Sequence, residues 1–369
     1  MKCQVCNLEY ECNVIYESKF PLSIASDNKL VEHGIQLHCC KKCGHIFKIP
    51  SAKILDEVYK AYRTDVILPD QEALKFLDSN DMLPLSDIIL NNISCYLPLD
   101  FCGNIMDFGT GSGGMLRAFS LKYKNADLFA FDVSNRLEEN FYNIKNFRKF
   151  YTNIDIMQEK FTCISAIHCI EHILDLRSTL EILLPKISDG GYMLVQVPNL
   201  LENIWDIFIA DHCHHFTKGS LERLFRSFGY KVVFPEKQVD RQITALIKKE
   251  SSLCLHHDNV CDSLFESQNG FSVDRLMELL YGIRTIKDNG RKVAVFGTTT
   301  ISSAVASMLE SSCEYFLDED KRKIGKMHLG REIIHPDSCR LDVLLPFGSQ
   351  LGRKIRSRFS EKLNIIDVF

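Results

Sequence analysis

The chain has 369 residues, of which 46% are hydrophobic and 25% charged, and its formal net charge is −4 at pH 7. This length predicts two or three domains, and the composition is typical of a soluble globular protein. So small a net charge provides no general attraction to nucleic acid or to an anionic membrane. No stretch reaches the roughly 18 apolar residues of a membrane span, and the N-terminus lacks the apolar run of a signal peptide. We therefore expect a cytoplasmic protein.

Two Cys-x-x-Cys pairs mark the N-terminal segment, which we place at residues 1–70 with a helix near 52–62. The paired residues are Cys3, Cys6, Cys40 and Cys43. Two such pairs can hold one tetrahedral cation, so they predict a structural Zn²⁺ site. Scattered reduced thiols are the alternative, and Cys12 and Cys39 lie close enough in sequence to compete as ligands. Zinc ribbons often bind nucleic acid, but the few clustered basic residues here argue against that function.

Helix and strand patterns alternate from about residue 71 to 250. The predicted helices are 85–97, 114–122, 177–187 and 218–228. The predicted strands are 104–107, 126–132, 163–168, 192–197, 230–234 and 244–248, with a turn at Asp189-Gly190-Gly191. Such alternation predicts an α/β fold with a largely parallel, doubly wound sheet.

A glycine-rich turn follows the first of these strands, where residues 106–114 read Met-Asp-Phe-Gly-Thr-Gly-Ser-Gly-Gly. The glycines that would let the backbone approach a ligand are Gly109, Gly111 and Gly113. The spacing with Gly114 also fits the dinucleotide fingerprint, so NAD must be weighed against S-adenosylmethionine. Asp107 favours S-adenosylmethionine, because a carboxylate can face its cationic methionine end but would repel a pyrophosphate. A chance glycine loop is the remaining alternative.

Two further carboxylates are candidate cofactor contacts. Asp132 ends the next strand, where it can accept hydrogen bonds from both ribose hydroxyls, although a simple strand-end cap would look the same. Asp155 lies in a polar loop and is a weaker candidate for a place beside the adenine.

Histidines are concentrated in two stretches of this segment. The first, Ile167-His168-Cys169-Ile170-Glu171-His172, ends a strand at the edge where α/β sheets bind ligands, so His172 either faces substrate or caps the next helix. The second, Asp211-His212-Cys213-His214-His215-Phe216-Thr217, places a carboxylate beside imidazoles that titrate near neutral pH. It predicts a general base, with a second metal site or a structural cluster as alternatives.

A polar stretch at 250–270 predicts a linker to a third unit, residues 251–369. Its pattern predicts helices at 272–287 and 300–309 and strands at 292–296, 315–318, 342–345 and 364–368, which make a small Rossmann-like sheet. The turn at Gly297 has one glycine, so a second intact dinucleotide site is not expected.

In this order of parts the chain resembles the nucleotide-sugar C-methyltransferases that act on keto-deoxysugars. The matching stretches are Phe20-Pro21-Leu22, Cys40 to Gly44, Asp107 to Gly113, Pro198-Asn199, and the Gly297 turn with Asp318 and Lys323-x-Gly325. The resemblance implies a zinc-binding domain, a class I methyltransferase domain that uses S-adenosylmethionine, and a C-terminal Rossmann-like domain that contacts a nucleotide-sugar.

The family's catalytic stretch, Glu-His-x-x-Tyr-Phe-Ser, is similar to residues 211–217. By that match His212 is the base and Asp211 its carboxylate partner, while His172 and Tyr62 are candidate donors to an enolate oxygen. Asp211 and His215 differ from the Glu and Tyr of the family, and only Tyr59 and Tyr62 remain of a tyrosine-rich stretch after the zinc domain.

The prediction is a cytoplasmic methyltransferase that acts on a nucleotide-linked sugar at a carbon next to a keto group. Nucleic acid and membrane are not expected as partners. An O-methyltransferase acting on a polysaccharide precursor is the rival, since a related stretch occurs in such enzymes. A non-enzymatic zinc-ribbon adaptor is a third possibility, against which the glycine loop argues.

Overall fold

The computed structural model describes residues 2–9, 12–17, 23–27, 29–31, 33–51, 54, 55, 58, 74–76, 82–97, 101–249, 273–347 and 349–366. The predicted linker at 250–270 and most of the predicted helix at 52–62 lie outside these residues.

β-Strands are numbered in chain order. They are β1 Cys12–Glu17, β2 Ser23–Ile24, β3 Leu30–Val31, β4 Gln36–Cys40, β5 Ile46–Phe47, β6 Leu74–Phe76, β7 Met82–Pro84, β8 Gly103–Phe108, β9 Ala126–Phe131, β10 Phe147–Tyr151, β11 Phe161–Ile167, β12 Ile187–Pro198, β13 His214–His215, β14 Tyr230–Val233, β15 Gln242–Lys249, β16 Val293–Phe296, β17 Cys313–Leu317, β18 Met327–His328, β19 Arg331–Ile334, β20 Asp342–Leu344 and β21 Ile365–Ile366. The α-helices are α1 Leu85–Asn92, α2 Gly114–Lys122, α3 Leu176–Leu183, α4 Lys218–Arg226, α5 Val273–Asp288, α6 Thr300–Leu309 and α7 Ser349–Phe359.

The central sheet has seven strands in the order β10-β9-β8-β11-β12-β15-β14. Pairs among the first five strands are parallel, and β15 runs antiparallel to β12 and β14. The predicted α/β fold with a largely parallel, doubly wound sheet is therefore confirmed. Ile105 packs with the core under α1 and α2, whereas its neighbour Met106 packs with the core under α3 and α4. This alternation is what a strand buried on both faces requires.

Three predicted features of this domain are wrong. The helix predicted at 85–97 ends at Asn92. The helix predicted to reach Ile187 ends at Leu183, because Pro185 has no N–H to continue the helical hydrogen bonds, and a 3₁₀ turn leads into β12. The turn predicted at Asp189-Gly190-Gly191 lies inside β12 as a bulge, where the register moves from Phe161 opposite Ile187 to Cys163 opposite Tyr192. Gly190 has a φ of 76°, which suits the distortion that a bulge imposes.

A second sheet joins the N-terminal segment to the central domain. Its order is β1-β4-β5-β13, with antiparallel pairs throughout. β13 comes from the loop after β12, so a strand of the histidine-rich stretch completes the sheet of the cysteine segment. This pairing brings the two segments into direct backbone contact.

The C-terminal unit contains a six-stranded sheet in the order β18-β19-β17-β16-β20-β21. All its pairs are parallel except that between β18 and β19. Side chains of α5 and α6 share one core with Ile24 and Leu37 of the N-terminal segment and Phe208 of the central domain. The three predicted segments are therefore packed around a common core.

Candidate active site and cysteine cluster

The four cysteines of the two Cys-x-x-Cys pairs lie together. Their sulfur atoms are all within 4.8 Å of one another, with Cys3 Sγ 3.5 Å from Cys43 Sγ and Cys6 Sγ 3.9 Å from Cys40 Sγ. A tetrahedron with Zn–S bonds of about 2.3 Å has edges of about 3.8 Å, whereas a disulfide would need about 2.05 Å. The spacing therefore fits four thiolates around one Zn²⁺ ion.

Each cysteine pair lies on a tight turn that supports this arrangement. Asn7 and Gly44, which follow the second cysteine of each pair, have φ values of 58° and 66°. The amide of Gly44 donates to the carbonyl of Cys40, and that of Asn7 to the carbonyl of Cys3. Cys39 is not a member of the sulfur group, and the side chain of Cys12 lies outside the described part of the chain.

The glycine turn after β8 contains one residue that borders open space. A Cβ atom on Gly111, whose φ is 50°, would meet no atom within 4 Å. A Cβ atom on Gly109 would instead lie 2.4 Å from the Cys169 sulfur, and one on Gly113 2.4 Å from the Phe141 ring. The expectation that all three glycines make room for a ligand is therefore wrong for these two, which make room for the protein's own side chains.

Asp107 is the penultimate residue of β8, next to this turn, and is buried. Its Oδ1 atom accepts a hydrogen bond of 2.6 Å from the Ser165 hydroxyl on the neighbouring strand β11. Ser165 stands opposite Asp107 in the parallel register, which makes it a fixed donor for the carboxylate. A serine inside the apolar sequence of β11 was the signal that could have identified it.

Asp132 supports the glycine turn from the end of β9. Its Oδ2 accepts from the Gly111 amide at 2.9 Å, and its Oδ1 accepts from the Ser134 amide at 3.2 Å. Burial raises the pKa of this carboxyl, against the effect of these backbone hydrogen bonds. Asp155 is exposed, and its amide donates to the side chain of Asn153.

Two histidine–carboxylate pairs form beyond the carboxyl end of β11. His212 Nδ1 lies 2.8 Å from Asp206 Oδ1, and His172 Nδ1 lies 3.1 Å from Asp211 Oδ2. The predicted pairing of Asp211 with His212 is therefore wrong. Asp211 also accepts from the Ser26 amide at 2.9 Å and from the Ser26 hydroxyl at 2.5 Å.

The two histidine rings face each other edge to face, with centroids 4.5 Å apart. Burial lowers the pKa of His172, but the hydrogen bond to Asp211 and the charges of Asp211 and Glu171 outweigh it and raise the pKa to about 9. His172 is therefore cationic at neutral pH. Although burial raises the pKa values of Asp206 and Asp211, their imidazole partners lower both below the usual range.

Glu171 adds a third carboxylate to this centre. It is fully buried, its Oε1 lies 3.2 Å from His168 Nδ1, and its Oε2 has no hydrogen-bond partner among the described residues. Glu171, His172 and His212 each offer a ligand atom within 4.8 Å of the others. One carboxylate and two imidazoles would suit a divalent cation. A second metal site, the alternative to a general base, would therefore use these three residues as ligands.

The glycine turn and the histidine pairs are neighbours. Cys169, whose sulfur fills the space beside Gly109, begins the 3₁₀ turn Ile170–His172. The backbone of Cys213 in turn donates to the carbonyl of Glu171 at 2.7 Å. The candidate cofactor loop and the candidate base are thus close together in the fold. Tyr62, the other candidate donor to the enolate oxygen, lies outside the described residues.

Residues of the C-terminal unit that carry the family resemblance also meet. Lys323 Nζ is 2.9 Å from both Thr298 Oγ1 and Asp318 Oδ2. Gly297 has a φ of 80°, and a Cβ atom there would lie 2.6 Å from the Phe347 ring. The turn after β16 is therefore built around a lysine, a hydroxyl and a carboxylate at one sheet edge.

Comparison with known proteins adds the family of the central segment. A family model described as a methyltransferase domain matches residues 74–234. This part of the chain is therefore similar to methyltransferase domains. A search of curated proteins gives no match to the chain.

Several solved structures are similar to parts of this chain. An O-methyltransferase family protein from Burkholderia thailandensis is 12% identical, with a TM-score of 0.42, over 55% of this chain and 67% of that protein. An S-adenosylmethionine-dependent methyltransferase from Clostridium acetobutylicum is 14% identical, with a TM-score of 0.36, over 54% and 97%. The CurJ carbon methyltransferase is 12% identical, with a TM-score of 0.37, over 45% and 54%. At these TM-scores, the similarities do not bear on the reaction of this chain.

Proposed function

We propose that this chain is an S-adenosylmethionine-dependent methyltransferase that methylates a nucleotide-linked keto-deoxysugar at the carbon next to its keto group. The observation that carries the proposal is the pair of histidine–carboxylate contacts, His212 with Asp206 and the partly buried His172 with Asp211, beside the glycine turn. Removal of a proton next to a carbonyl needs both a base and a stabilised oxyanion. Two histidines that are each held by a carboxylate can divide these tasks.

His212 is the base in this proposal. A carboxylate only accepts hydrogen bonds, so the contact with Asp206 requires that His212 Nδ1 carry the proton. The Nε2 atom of the neutral ring is then left with a lone pair. It can take the proton from the carbon, and Asp206 stabilises the imidazolium that results, as in other histidine–carboxylate pairs.

His172 stabilises the oxygen of the enolate. Its raised pKa of about 9 keeps the ring protonated at neutral pH, and Asp211 occupies its Nδ1 side. A cationic donor placed before the reaction begins lowers the energy of an oxyanion without a later rearrangement. The two neighbouring rings therefore suit opposite roles, one accepting a proton and the other donating a hydrogen bond.

The cofactor would be held at the turn after β8. Gly111 borders space that a ligand can occupy, and Asp107, Asp132 and the N-terminus of α2 surround the turn. S-adenosylmethionine, when bound, supplies an electrophilic methyl group. The carboxylates fit that cation better than the pyrophosphate of NAD, because they would repel the negative charge of the pyrophosphate.

The nucleotide-sugar part of the proposal is supported by the resemblance and by the C-terminal unit. Its turn at Gly297 places Lys323, Thr298 and Asp318 together, and a lysine and hydroxyl can bind the phosphates and ribose of a nucleotide. We propose further that the four cysteines hold a structural Zn²⁺ ion. Four thiolates would fill all the coordination positions of a tetrahedral ion and leave none for a substrate.

Labelled S-adenosylmethionine and a panel of nucleotide keto-deoxysugars test the proposal. The enzyme should transfer the labelled methyl group to carbon. With a sugar but no methyl donor, it should also exchange the proton next to the keto group for deuterium, and His212→Asn should lose that exchange while keeping its affinity for S-adenosylmethionine.

Other outcomes would replace parts of the proposal. A methyl ether as product would assign an O-methyltransferase, whose hydroxyl proton exchanges with water unaided. Tighter binding of NAD than of S-adenosylmethionine in calorimetry would overturn the cofactor. A second tightly bound metal ion that is lost in Glu171→Gln would place metal chemistry at the histidines instead of a free base.

A further inference from the structure

Asp206 lies outside the histidine-rich stretch 211–217 in sequence, but its carboxylate contacts two histidines of that stretch. It sits in the 3₁₀ turn Ile204–Phe208 and is 1% exposed. Its two oxygens accept from different rings, Oδ1 from His212 at 2.8 Å and Oδ2 from His215 at 2.7 Å. A carboxylate held by one donor can rotate, whereas one held by two donors on opposite oxygens cannot.

These contacts determine the tautomers of both rings. Because the carboxylate has no proton to give, each Nδ1 must carry one, and each Nε2 is the unprotonated nitrogen of the neutral ring. For His215 that Nε2 is buried with no hydrogen-bond partner among the described residues. His215 therefore acts here through its Nδ1 side, as a fixed donor to Asp206.

The loop that carries Asp206 and His212 is fastened by a residue of the N-terminal segment. The ammonium group of Lys48, which is 5% exposed, donates to the carbonyls of Ile207 at 3.0 Å and of Ile209. The Lys48 amide donates to the carbonyl of Cys213 at 2.8 Å. One residue thus ties down the loop on both sides of His212.

Lys48 also balances charge in this buried region. Burial lowers its pKa to about 8, and the charges of Asp206 and Asp211 act in the opposite direction. A lysine buried this deeply is costly unless carboxylates lie nearby and carbonyls accept its hydrogen bonds. Both conditions are met, since two carbonyls accept from Lys48 and Asp206 is kept ionised by its imidazole partners.

We propose that Asp206 is a positioning residue that fixes the ring orientation and the Nδ1–H tautomer of His212, and that Lys48 holds the loop in which the two residues meet. The consequence for activity rests on the proposed function of His212. The tautomers do not depend on that function, so they can be measured separately.

Nitrogen NMR of the protein labelled with ¹⁵N in the histidine rings tests the first part directly. We expect His212 and His215 to show protonated Nδ1 and unprotonated Nε2 at pH 7.5, with signals assigned from His212→Gln and His215→Gln. Asparagine offers one acceptor and one donor, so in Asp206→Asn one of the two rings must move its proton to Nε2. An Nε2–H tautomer of His212 in the unchanged protein would overturn the proposal.

Kinetics test the role of Asp206 in activity, and amide exchange tests the role of Lys48 in holding the loop. Asp206→Asn should lower kcat at least 100-fold while its affinity for S-adenosylmethionine changes less than threefold. Lys48→Met should speed amide exchange at residues 207–213 at least tenfold, and Lys48→Arg should recover part of that protection. Lys249→Met and Asp189→Asn, which remove an exposed ion pair, are the matched controls.

The remaining outcomes separate the inference from the function on which it rests. Unchanged kcat in a folded Asp206→Asn protein, or unchanged exchange in Lys48→Met, would contradict the positioning roles. Nδ1–H tautomers in a protein that methylates no acceptor would support the positioning by Asp206 and overturn the proposed function.

Discussion

Each glycine after β8 has a different neighbour, and that neighbour determines what a substitution would do. Gly109 and Gly113 face Cys169 and Phe141, so a larger residue at either position would disturb the protein itself. Gly111 faces open space, so a larger residue there would disturb only what comes to occupy that space. The backbone at all three has a positive φ, which a β-branched residue tolerates poorly.

Gly111→Val should therefore abolish binding of S-adenosylmethionine, because its side chain fills the ligand space. Calorimetry with the purified variant measures this. Gly330→Val is the control, since Gly330 also has a positive φ and open space around its Cβ position but lies in the C-terminal unit. Both variants carry the same kind of strain, so binding that survives in Gly111→Val would remove the turn from the cofactor site.

The residues of the histidine centre show what sequence can and cannot predict. His172 and His212 were predicted as functional, and the structure places their rings together, although their catalytic roles stay predictions. Asp206 was missed because it lies six positions before His212, and only the turn at Ile204–Phe208 brings the two together. Adjacency in the sequence predicts that Asp211 pairs with His212, yet its side chain contacts His172 instead.

At the level of elements, regular patterns were predictable and local distortions were not. α2 has the predicted bounds, because its apolar spacing and the preceding glycines are both local signals. Gly190 and Gly191 resemble a turn by composition, but pairing of β12 with β11 and β15 keeps the chain in the sheet and turns them into a bulge. The pairing of β13 with β5 had no local signal at all, since it joins distant parts of the chain.

The start of α4 gives a prediction for a single element. Thr217 accepts from the Ser220 amide at 3.1 Å, and the Ser220 hydroxyl accepts from the Thr217 amide at 3.0 Å, which makes a reciprocal cap. Thr217→Ala should lower the free energy of unfolding by about 1 kcal/mol in urea titration. Thr152→Ala, at an exposed position, should change it by less than about 0.5 kcal/mol. Equal effects in the two variants would contradict the role of the cap.

At the scale of the whole molecule, the cysteine segment is part of the candidate active site. β5 pairs with β13, Lys48 fastens the loop before it, and Ser26 holds Asp211. Side chains from all three segments share one core. Among the described residues, no helix is both long and apolar enough to cross a membrane. The architecture therefore predicts that loss of a metal ion from the cysteines would disturb the backbone around the histidines.

Metal removal tests that link. We expect one tightly bound zinc ion per chain, and Cys40→Ser should lose it and expose the amides of residues 213–216 to faster exchange, because β5 follows directly from the second cysteine pair. Cys95→Ser is the control, since Cys95 is exposed and is not a member of the sulfur group. A metal-free protein with an unchanged melting temperature would contradict a structural zinc site.

The buried histidines predict how stability depends on pH. Burial lowers the pKa values of His214 and His215 to about 4, whereas their value in the unfolded chain is about 6.5. Their contribution is present above pH 6.5 and is lost as the pH falls from 6.5 towards 4, because the unfolded chain then binds more protons. His172 behaves oppositely: its pKa of about 9 gives a contribution that is complete below pH 6.5 and lost as the pH rises through 9.

These groups together predict that the free energy of unfolding is greatest near pH 6.5 to 7 and falls on both sides up to pH 8, above which the lowered pKa of Lys48 acts in the opposite direction to that of His172. Each proton contributes a slope of at most about 1.4 kcal/mol per pH unit, which urea titrations between pH 5 and 8 resolve. His214→Gln should flatten the acid side and Asp211→Asn the alkaline side, because the first removes a buried titrating ring and the second removes the carboxylate that raises the pKa of His172. His33→Gln, at an exposed position, should leave both sides unchanged. Stability that rises steadily from pH 7 to 8 would show that His172 is not held as a cation, and the oxyanion role proposed for it would fall with that result.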